Sequence, residues 1–102
     1  MLTSKQRAKL RSIISNEQPV AQVGKEGLSY ACLEGIEKVL KARELIKISV
    51  LQNCDSDTKT IANEIRENLK CDVVAVIGKK IVLYKYNPKN KKHVELDLKS
   101  RP

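Results

Sequence analysis

The sequence contains no tryptophan and no phenylalanine, and its aromatic residues are the three tyrosines Tyr30, Tyr84 and Tyr86. Modules that read single-stranded RNA on a row of stacking rings need aromatic side chains on their strands. Tyr84 and Tyr86 fall on one face of a predicted strand and could stack a base, but core packing is the favoured role for both. The composition therefore argues against an aromatic recognition platform.

Cysteine and histidine are also scarce. The three cysteines, Cys32, Cys54 and Cys71, are widely spaced and form no Cys-x-x-Cys pair, and the single histidine, His93, lies in a charged C-terminal segment. This pattern disfavours a disulfide framework and a zinc site. We interpret Cys32 and Cys71 as small buried apolar residues. We expect neither a metal nor another cofactor.

Long apolar runs are missing as well. No stretch approaches the length needed to cross a bilayer, and the first residues lack the apolar centre of a signal peptide, so we expect a cytoplasmic protein. With 102 residues, of which 41% are apolar, the chain is large enough for one folded domain and too short for a second.

Acidic residues are too few to balance the basic ones. Twenty Lys and Arg against twelve Asp and Glu give a net charge of +8, and the excess is segregated. Residues 1–30 carry +3 and residues 79–92 carry +6, whereas residues 31–78 carry −1. Segregation of this kind indicates a polyanionic partner. A basic run alone is more often a solubilising surface, so charge does not name the partner.

Hydrophobic periodicity predicts three helices and four strands. Thr3 or Ser4 can cap the first helix, whose apolar stripe is Leu10, Ile13 and Ile14, and Ser29 can cap the second. The segment at 54–57 can cap the third helix, and the β-branched run at 73–77 suits a strand buried on both faces. The predicted helices span 4–15, 30–43 and about 57–70, and the strands 20–23, 45–51, 73–77 and 81–86.

This order predicts a compact single α/β domain with a mixed four-stranded sheet. The strand–helix–strand units favour parallel neighbours, and the last two strands form an antiparallel hairpin around Gly78. We expect the domain to cover residues 1–98. Residues 87–102 are expected to be a basic, partly flexible tail of uncertain structure.

Two of the four glycines, Gly24 and Gly27, bracket Lys25 and Glu26 between a predicted strand and a predicted helix. Without a Cβ, such a loop lets a sugar-phosphate backbone come close to the amides of a helix N-terminus, as in the GXXG loop of KH modules. An isolated G-x-x-G is more often a tight turn, and Glu26 would repel phosphate. The position beside basic segments shifts the balance towards binding.

Four segments together resemble the YhbY-like proteins, single-domain bacterial members of the CRM group (chloroplast RNA splicing and ribosome maturation). They are "LTSKQRAKLR", "VGKEGLS", "ELIKISVL" and "VVAVIGKKIVLYK", and the resemblance runs from about residue 2 to residue 86. It implies a domain related in fold to KH modules and to the C-terminal domain of bacterial translation initiation factor three. It also implies RNA binding and association with precursors of the large ribosomal subunit.

The candidate RNA-contacting residues come from the resemblance and from the basic segments. The resemblance implies that the residues 24–27 form the contacting loop and that Lys5, Gln6 and Arg7 form the basic start of the first helix. The charge pattern adds Arg11, Lys79 and Lys80. The interpretation is a non-catalytic, monomeric protein that binds ribosomal RNA and assists large-subunit assembly.

Two alternatives remain open. A general nucleic-acid-binding or protein-docking domain without a ribosomal role would also fit the charge pattern. An RNA-cleaving enzyme fits less well, because the sequence offers no paired carboxylates or ligand cluster, and Asp55 and Asp57 are better explained by turn and cap chemistry.

Overall fold

The predicted order of helices and strands is confirmed in the computed structural model, which describes residues 3–24, 27–51 and 57–87. The predicted bounds differ from the observed ones by at most two residues at each end. The elements are α1 (Ser4–Ile14), β1 (Ala21–Val23), α2 (Tyr30–Arg43), β2 (Leu45–Val50), α3 (Thr58–Leu69), β3 (Asp72–Ile77) and β4 (Lys80–Tyr84).

Local capping explains where α1 and α2 begin. At α1 the Thr3 hydroxyl accepts a hydrogen bond from the Gln6 amide at 3.1 Å, and the Gln6 side chain accepts one from the Thr3 amide at 2.9 Å. This reciprocal pair satisfies two amides that the helix itself leaves open. The Ser29 hydroxyl caps α2 in the same way, through the Cys32 amide at 3.1 Å. Asp57 occupies the cap position of α3 but makes no capping bond with its side chain.

The sheet has the strand order β1-β2-β4-β3. β1 and β2 are parallel, and β4 is antiparallel to both of its neighbours, so the predicted mixed sheet and terminal hairpin are confirmed. The expectation for 73–77 is wrong: β3 is an edge strand and only partly buried, while β4 is an inner strand with four buried residues. A β-branched run suits either position, and the insertion of β4 between β2 and β3 leaves β3 at the edge.

Helices α2 and α3 pack on one face of the sheet. Alternate residues of β2 and β4 point into this layer and build the larger part of the core with the apolar stripes of the two helices. Cys71 is buried in this layer, as predicted, whereas Cys32 is only partly buried. The largest fully buried side chains here include Ile36, Leu40, Ile46, Ile48, Ile61, Ile65, Ile81 and Leu83.

Helix α1 covers the opposite face. Leu10 and Ile14 pack with Val82 and Tyr84, and the Lys47 ammonium donates to the carbonyl oxygens of residues 15 and 17 after the helix. Ile13, predicted in the same stripe, is 43% exposed. The buried residues of α1 are instead Gln6, Leu10 and Ile14, which follow one another at intervals of four residues along one face of the helix.

The structure also tests the predictions for Tyr84 and Tyr86 and reaches the start of the predicted tail. Tyr84 is buried under α1, whereas Tyr86 lies beyond β4 and is exposed, so the expected core packing holds only for Tyr84. Asn87 is tied to the start of β2, its amide donating to the Glu44 carboxylate at 2.9 Å. The rest of the predicted tail, Cys54 and Asp55 lie outside the described residues. None of the helices within the described ranges is long and apolar enough to cross a membrane.

Candidate nucleic-acid interface

Residues 24–29 join β1 to α2. Gly24 follows the last residue of β1, and the Gly27 amide donates to the Gly24 carbonyl oxygen at 3.0 Å. We call the segment that begins and ends with these two glycines the glycine turn. Gly27 has a φ of 76°, in the left-handed region that side chains rarely adopt. Lys25 and Glu26, the two predicted contact residues between the glycines, lie outside the described residues.

The two glycines have different reasons to be glycine. The backbone conformation at position 27 requires glycine, because a residue with a Cβ would be strained there. At Gly24 the one atom of the described residues within 4 Å of an added Cβ, chain neighbours aside, is the Leu51 Cδ1 at 4.0 Å, an ordinary contact. Packing against the described residues therefore does not explain the glycine at position 24.

The start of α2 holds the turn in place. Leu28 packs against the core, Ser29 caps the helix, and the Cys32 thiol lies 3.9 Å from the Gln22 carbonyl oxygen of β1. Partial burial raises the pKa of the Cys32 thiol, so this cysteine is not an activated nucleophile. The first amides of α2 follow directly after the turn, where the helix dipole favours an anion.

The hairpin between β3 and β4 lies at the same edge of the sheet. The Leu51 amide donates to the Val23 carbonyl oxygen at 2.9 Å, and the Val50 amide donates to the Lys79 carbonyl oxygen at 2.7 Å. The glycine turn and the hairpin therefore flank the end of β2 on either side. Two strand spacings put their backbones roughly 10 Å apart. Lys79 and Lys80 are exposed, and neither has an ion-pair partner among the described residues.

We call this edge, formed by Gly24, Gly27, Lys79 and Lys80, the loop edge. Because β1 and β2 are parallel, the helices that follow them both start here, which places Lys59 near the beginning of α3 at the same edge. Lys59 is not among the residues predicted from the sequence. The signal that could have identified Lys59 is the predicted parallel pairing of β1 and β2, which brings the C-terminal ends of both strands together.

Helix α1 carries the other predicted basic residues. Lys5, Arg7 and Arg11 are exposed and have no ion-pair partner within the described part of the chain. Core contacts of α1 tie this helix to the face of the sheet opposite α2. Gln6 is only 6% exposed and is engaged in the capping pair, so in the free protein it organises the helix start instead of facing solvent.

Comparison with known proteins identifies the domain. The sequence matches the CRS1 / YhbY (CRM) domain over residues 2–85. The chain belongs to this family. The CRM domain is 44% identical over 91 residues to "Probable RNA-binding protein YqeI" of Bacillus subtilis, covering 89% of this chain and 95% of that one. It is 36% identical over 85 residues to a Haemophilus influenzae protein named "RNA-binding protein", covering 82% of this chain and 85% of that one.

The fold of this CRM domain also has a solved counterpart. The solution structure of the Staphylococcus aureus protein SAV1595 superposes with a TM-score of 0.80 at 42% identity, covering 94% of this chain and 99% of that one. The α/β architecture with three helices and a mixed four-stranded sheet is therefore the architecture of this family.

Proposed function

We propose that this CRM domain binds RNA at the loop edge without catalysing a reaction. The observation that carries the proposal is the position of the glycine turn, with no side chain at Gly24, beside Lys79 and Lys80, which have no ion-pair partner among the described residues. Backbone amides and the α2 N-terminus would hold phosphate oxygens, and the lysines would neutralise their charge. The names of the two relatives support RNA as the polyanion.

Catalysis is not needed to explain this site. Phosphate contacts from main-chain amides and ammonium groups fix the position of a nucleic acid and give strongly salt-dependent affinity. No group of three or more His, Cys, Asp or Glu side chains in the described part of the chain is arranged to hold a metal ion. We propose a binding protein that acts as a cytoplasmic monomer.

The finer proposal is that the RNA is ribosomal and belongs to precursors of the large subunit. It rests on the resemblance to the YhbY-like group and on the shape-based, phosphate-based recognition that the loop edge favours. Ribosomal precursors offer structured RNA with many exposed phosphates, which suits such recognition better than a short sequence motif.

Replacing Gly24 by Asp tests the loop edge. The substitution adds a carboxylate where phosphate would approach, and the space at Gly24 accommodates a Cβ. We expect at least a tenfold loss of affinity for in-vitro transcribed fragments of large-subunit RNA, because one charged hydrogen bond is worth about 1.5–3 kcal/mol. Filter binding measures the affinity, and competition with duplex DNA separates RNA binding from general nucleic-acid binding.

Gly35→Asp is the matched control. Gly35 lies on the exposed side of α2, and apart from the neighbouring backbone of its own helix no atom of the described residues is within 4 Å of an added Cβ. This variant therefore changes the net charge equally but away from the turn. Unchanged RNA affinity in the Gly24 variant would remove the loop edge from the interface. Gly27 is unsuitable for this test, because strain from its φ of 76° would confound binding with stability.

The same two variants test the ribosomal part of the proposal. In a sucrose gradient of cell extract, the natural protein and Gly35→Asp should sediment with large-subunit precursors, and Gly24→Asp should remain at the top. A natural protein found only at the top at low ionic strength would contradict the ribosomal role while leaving RNA binding in vitro intact.

A further inference from the structure

Tyr30 is the most exposed large hydrophobic side chain in the described part of the chain, with 83% of its surface accessible to solvent. It is the first residue of α2 and follows Gly27 by three positions. Three residues of extended chain span at most about 11 Å, so Tyr30 lies beside the glycine turn whatever the local bend. A large aromatic ring is thus held in water next to the proposed phosphate site.

The backbone under Tyr30 is well fixed. Leu28 packs against the core two residues earlier, and the Ser29 hydroxyl caps the helix through the Cys32 amide at 3.1 Å. A ring on a capped helix start loses little freedom when a flat partner stacks on it, because only the side-chain torsions have to be ordered. This rigidity distinguishes Tyr30 from a tyrosine on a loose surface loop.

Tyr30 also lines a shallow groove between α2 and α3. The groove has a volume of about 210 Å³, and its other lining residues are Leu33, Glu34 and Glu37 of α2 and Asn68 and Leu69 of α3. It is smaller than the 300–1,000 Å³ typical of pockets for drug-sized ligands. The two glutamates disfavour a phosphate here, whereas the face of a nucleobase carries no charge. The groove beside Tyr30 therefore suits an uncharged base better than a phosphate.

We propose that Tyr30 stacks on an unpaired base of the RNA whose backbone contacts the glycine turn. This inference rests on the proposed function and narrows it: the RNA element at the loop edge has at least one unpaired nucleotide, as in a loop, bulge or single-stranded end. A regular duplex keeps its bases stacked on each other and offers none to the ring. The lysines bind the backbone and Tyr30 selects the unpaired state.

Tyr30→Ala, Tyr30→Phe and Tyr86→Ala test the proposal with two RNA probes. One probe is a stem–loop with an unpaired loop, and the other is the same stem as an uninterrupted duplex. Tyr86 is the matched control because it is an exposed tyrosine that follows the opposite end of β4. Removing a stacking ring costs about 1–3 kcal/mol, which corresponds to a loss of about 5- to 150-fold.

We expect that loss for Tyr30→Ala on the stem–loop only, with the salt slope unchanged because no charge is removed. Tyr30→Phe keeps the ring and should bind like the natural protein, as should Tyr86→Ala, and circular dichroism melting checks that every variant is folded. Two results would overturn the stacking proposal and leave the proposed function standing. One is that Tyr30→Ala binds the stem–loop as tightly as the natural protein does, and the other is that Tyr30→Ala loses as much affinity for the duplex as for the stem–loop. Failure of the natural protein to bind either RNA overturns the proposed function as well.

Discussion

At the scale of single residues, identity alone did not distinguish positions that the structure separates. Gly24 and Gly27 are equivalent in the sequence, yet only Gly27 has a backbone that requires glycine. Tyr30 and Tyr84 are both tyrosines within predicted elements, yet one is 83% exposed and the other is buried under α1. Exposure and backbone angle depend on contacts distant in sequence, so local patterns could not assign them.

Cys71 leads to a prediction about pH. Burial, with a further contribution from the Asp72 carboxylate, raises the pKa of the Cys71 thiol to about 11. An unfolded cysteine titrates near 8.5, so between these values the unfolded chain has released a proton that the folded chain still holds. Stability therefore falls as pH rises through this window. From pH 8 to pH 10 the contribution of this thiol is a loss of roughly 1–2 kcal/mol.

Urea unfolding of the reduced protein at the two pH values measures the effect. The Cys71→Ala variant should lose less free energy of unfolding between pH 8 and pH 10 than the natural protein does. Cys32→Ala should retain most of the loss, because Cys32 is only partly buried. An identical pH dependence in the natural protein and Cys71→Ala would refute the assignment.

At the scale of elements, the sequence predicted which helices and strands form better than it predicted how each of them is buried. The second helix was predicted at 30–43 and spans Tyr30–Arg43, because Ser29 and the apolar spacing of Ile36 and Leu40 are local signals. The exposure of Ile13 and the edge position of β3 were missed. Both depend on which neighbour packs alongside, and no local signal specifies that.

The capping pair of α1 gives a prediction at this scale. Thr3→Ala removes the hydroxyl that accepts from the Gln6 amide, and we expect the protein to lose about 1 kcal/mol of stability, or about 4–8 °C in Tm. Differential scanning calorimetry measures the shift. Thr60→Ala, at an exposed position inside α3, is the control and should be neutral or slightly stabilising. A Tm for Thr3→Ala equal to that of the control would mean that the cap adds nothing to global stability.

At the scale of the whole molecule, the unequal distribution of charge matters more than its total. The predicted basic site residues fall on two parts of the molecule: Lys79 and Lys80 belong to the loop edge, and Lys5, Arg7 and Arg11 lie on α1, across the sheet from α2. Sequence reasoning proposed both groups but could not place them relative to each other. Their relation follows from β4 pairing with β2, a contact between segments far apart in the chain.

The salt dependence of RNA affinity can show whether the loop edge, helix α1 or both contact RNA. The Lys79→Ala/Lys80→Ala double variant should flatten the slope of log affinity against log salt by roughly 0.7–0.9 for each phosphate that the protein no longer neutralises, and the Lys5→Ala/Arg7→Ala double variant tests α1 in the same way. Lys38→Ala/Lys70→Ala removes the same charge from exposed positions on α2 and after α3 and should leave the slope unchanged. If the control variant flattened the slope as much as the loop-edge variant does, the protein would attract RNA through its overall charge instead of through defined contacts.

The insertion of β4 between β2 and β3 has a consequence for synthesis. Until the ribosome has made the chain as far as Tyr84, β2 has no strand to pair with on one side. The helices on both faces of the sheet also lack β4, against which they pack. A nascent chain with an open hydrophobic strand edge is prone to pair with other chains. The sheet therefore closes only after β4 has been made, and we expect interruptions of synthesis just before β4 to leave the chain most exposed to aggregation.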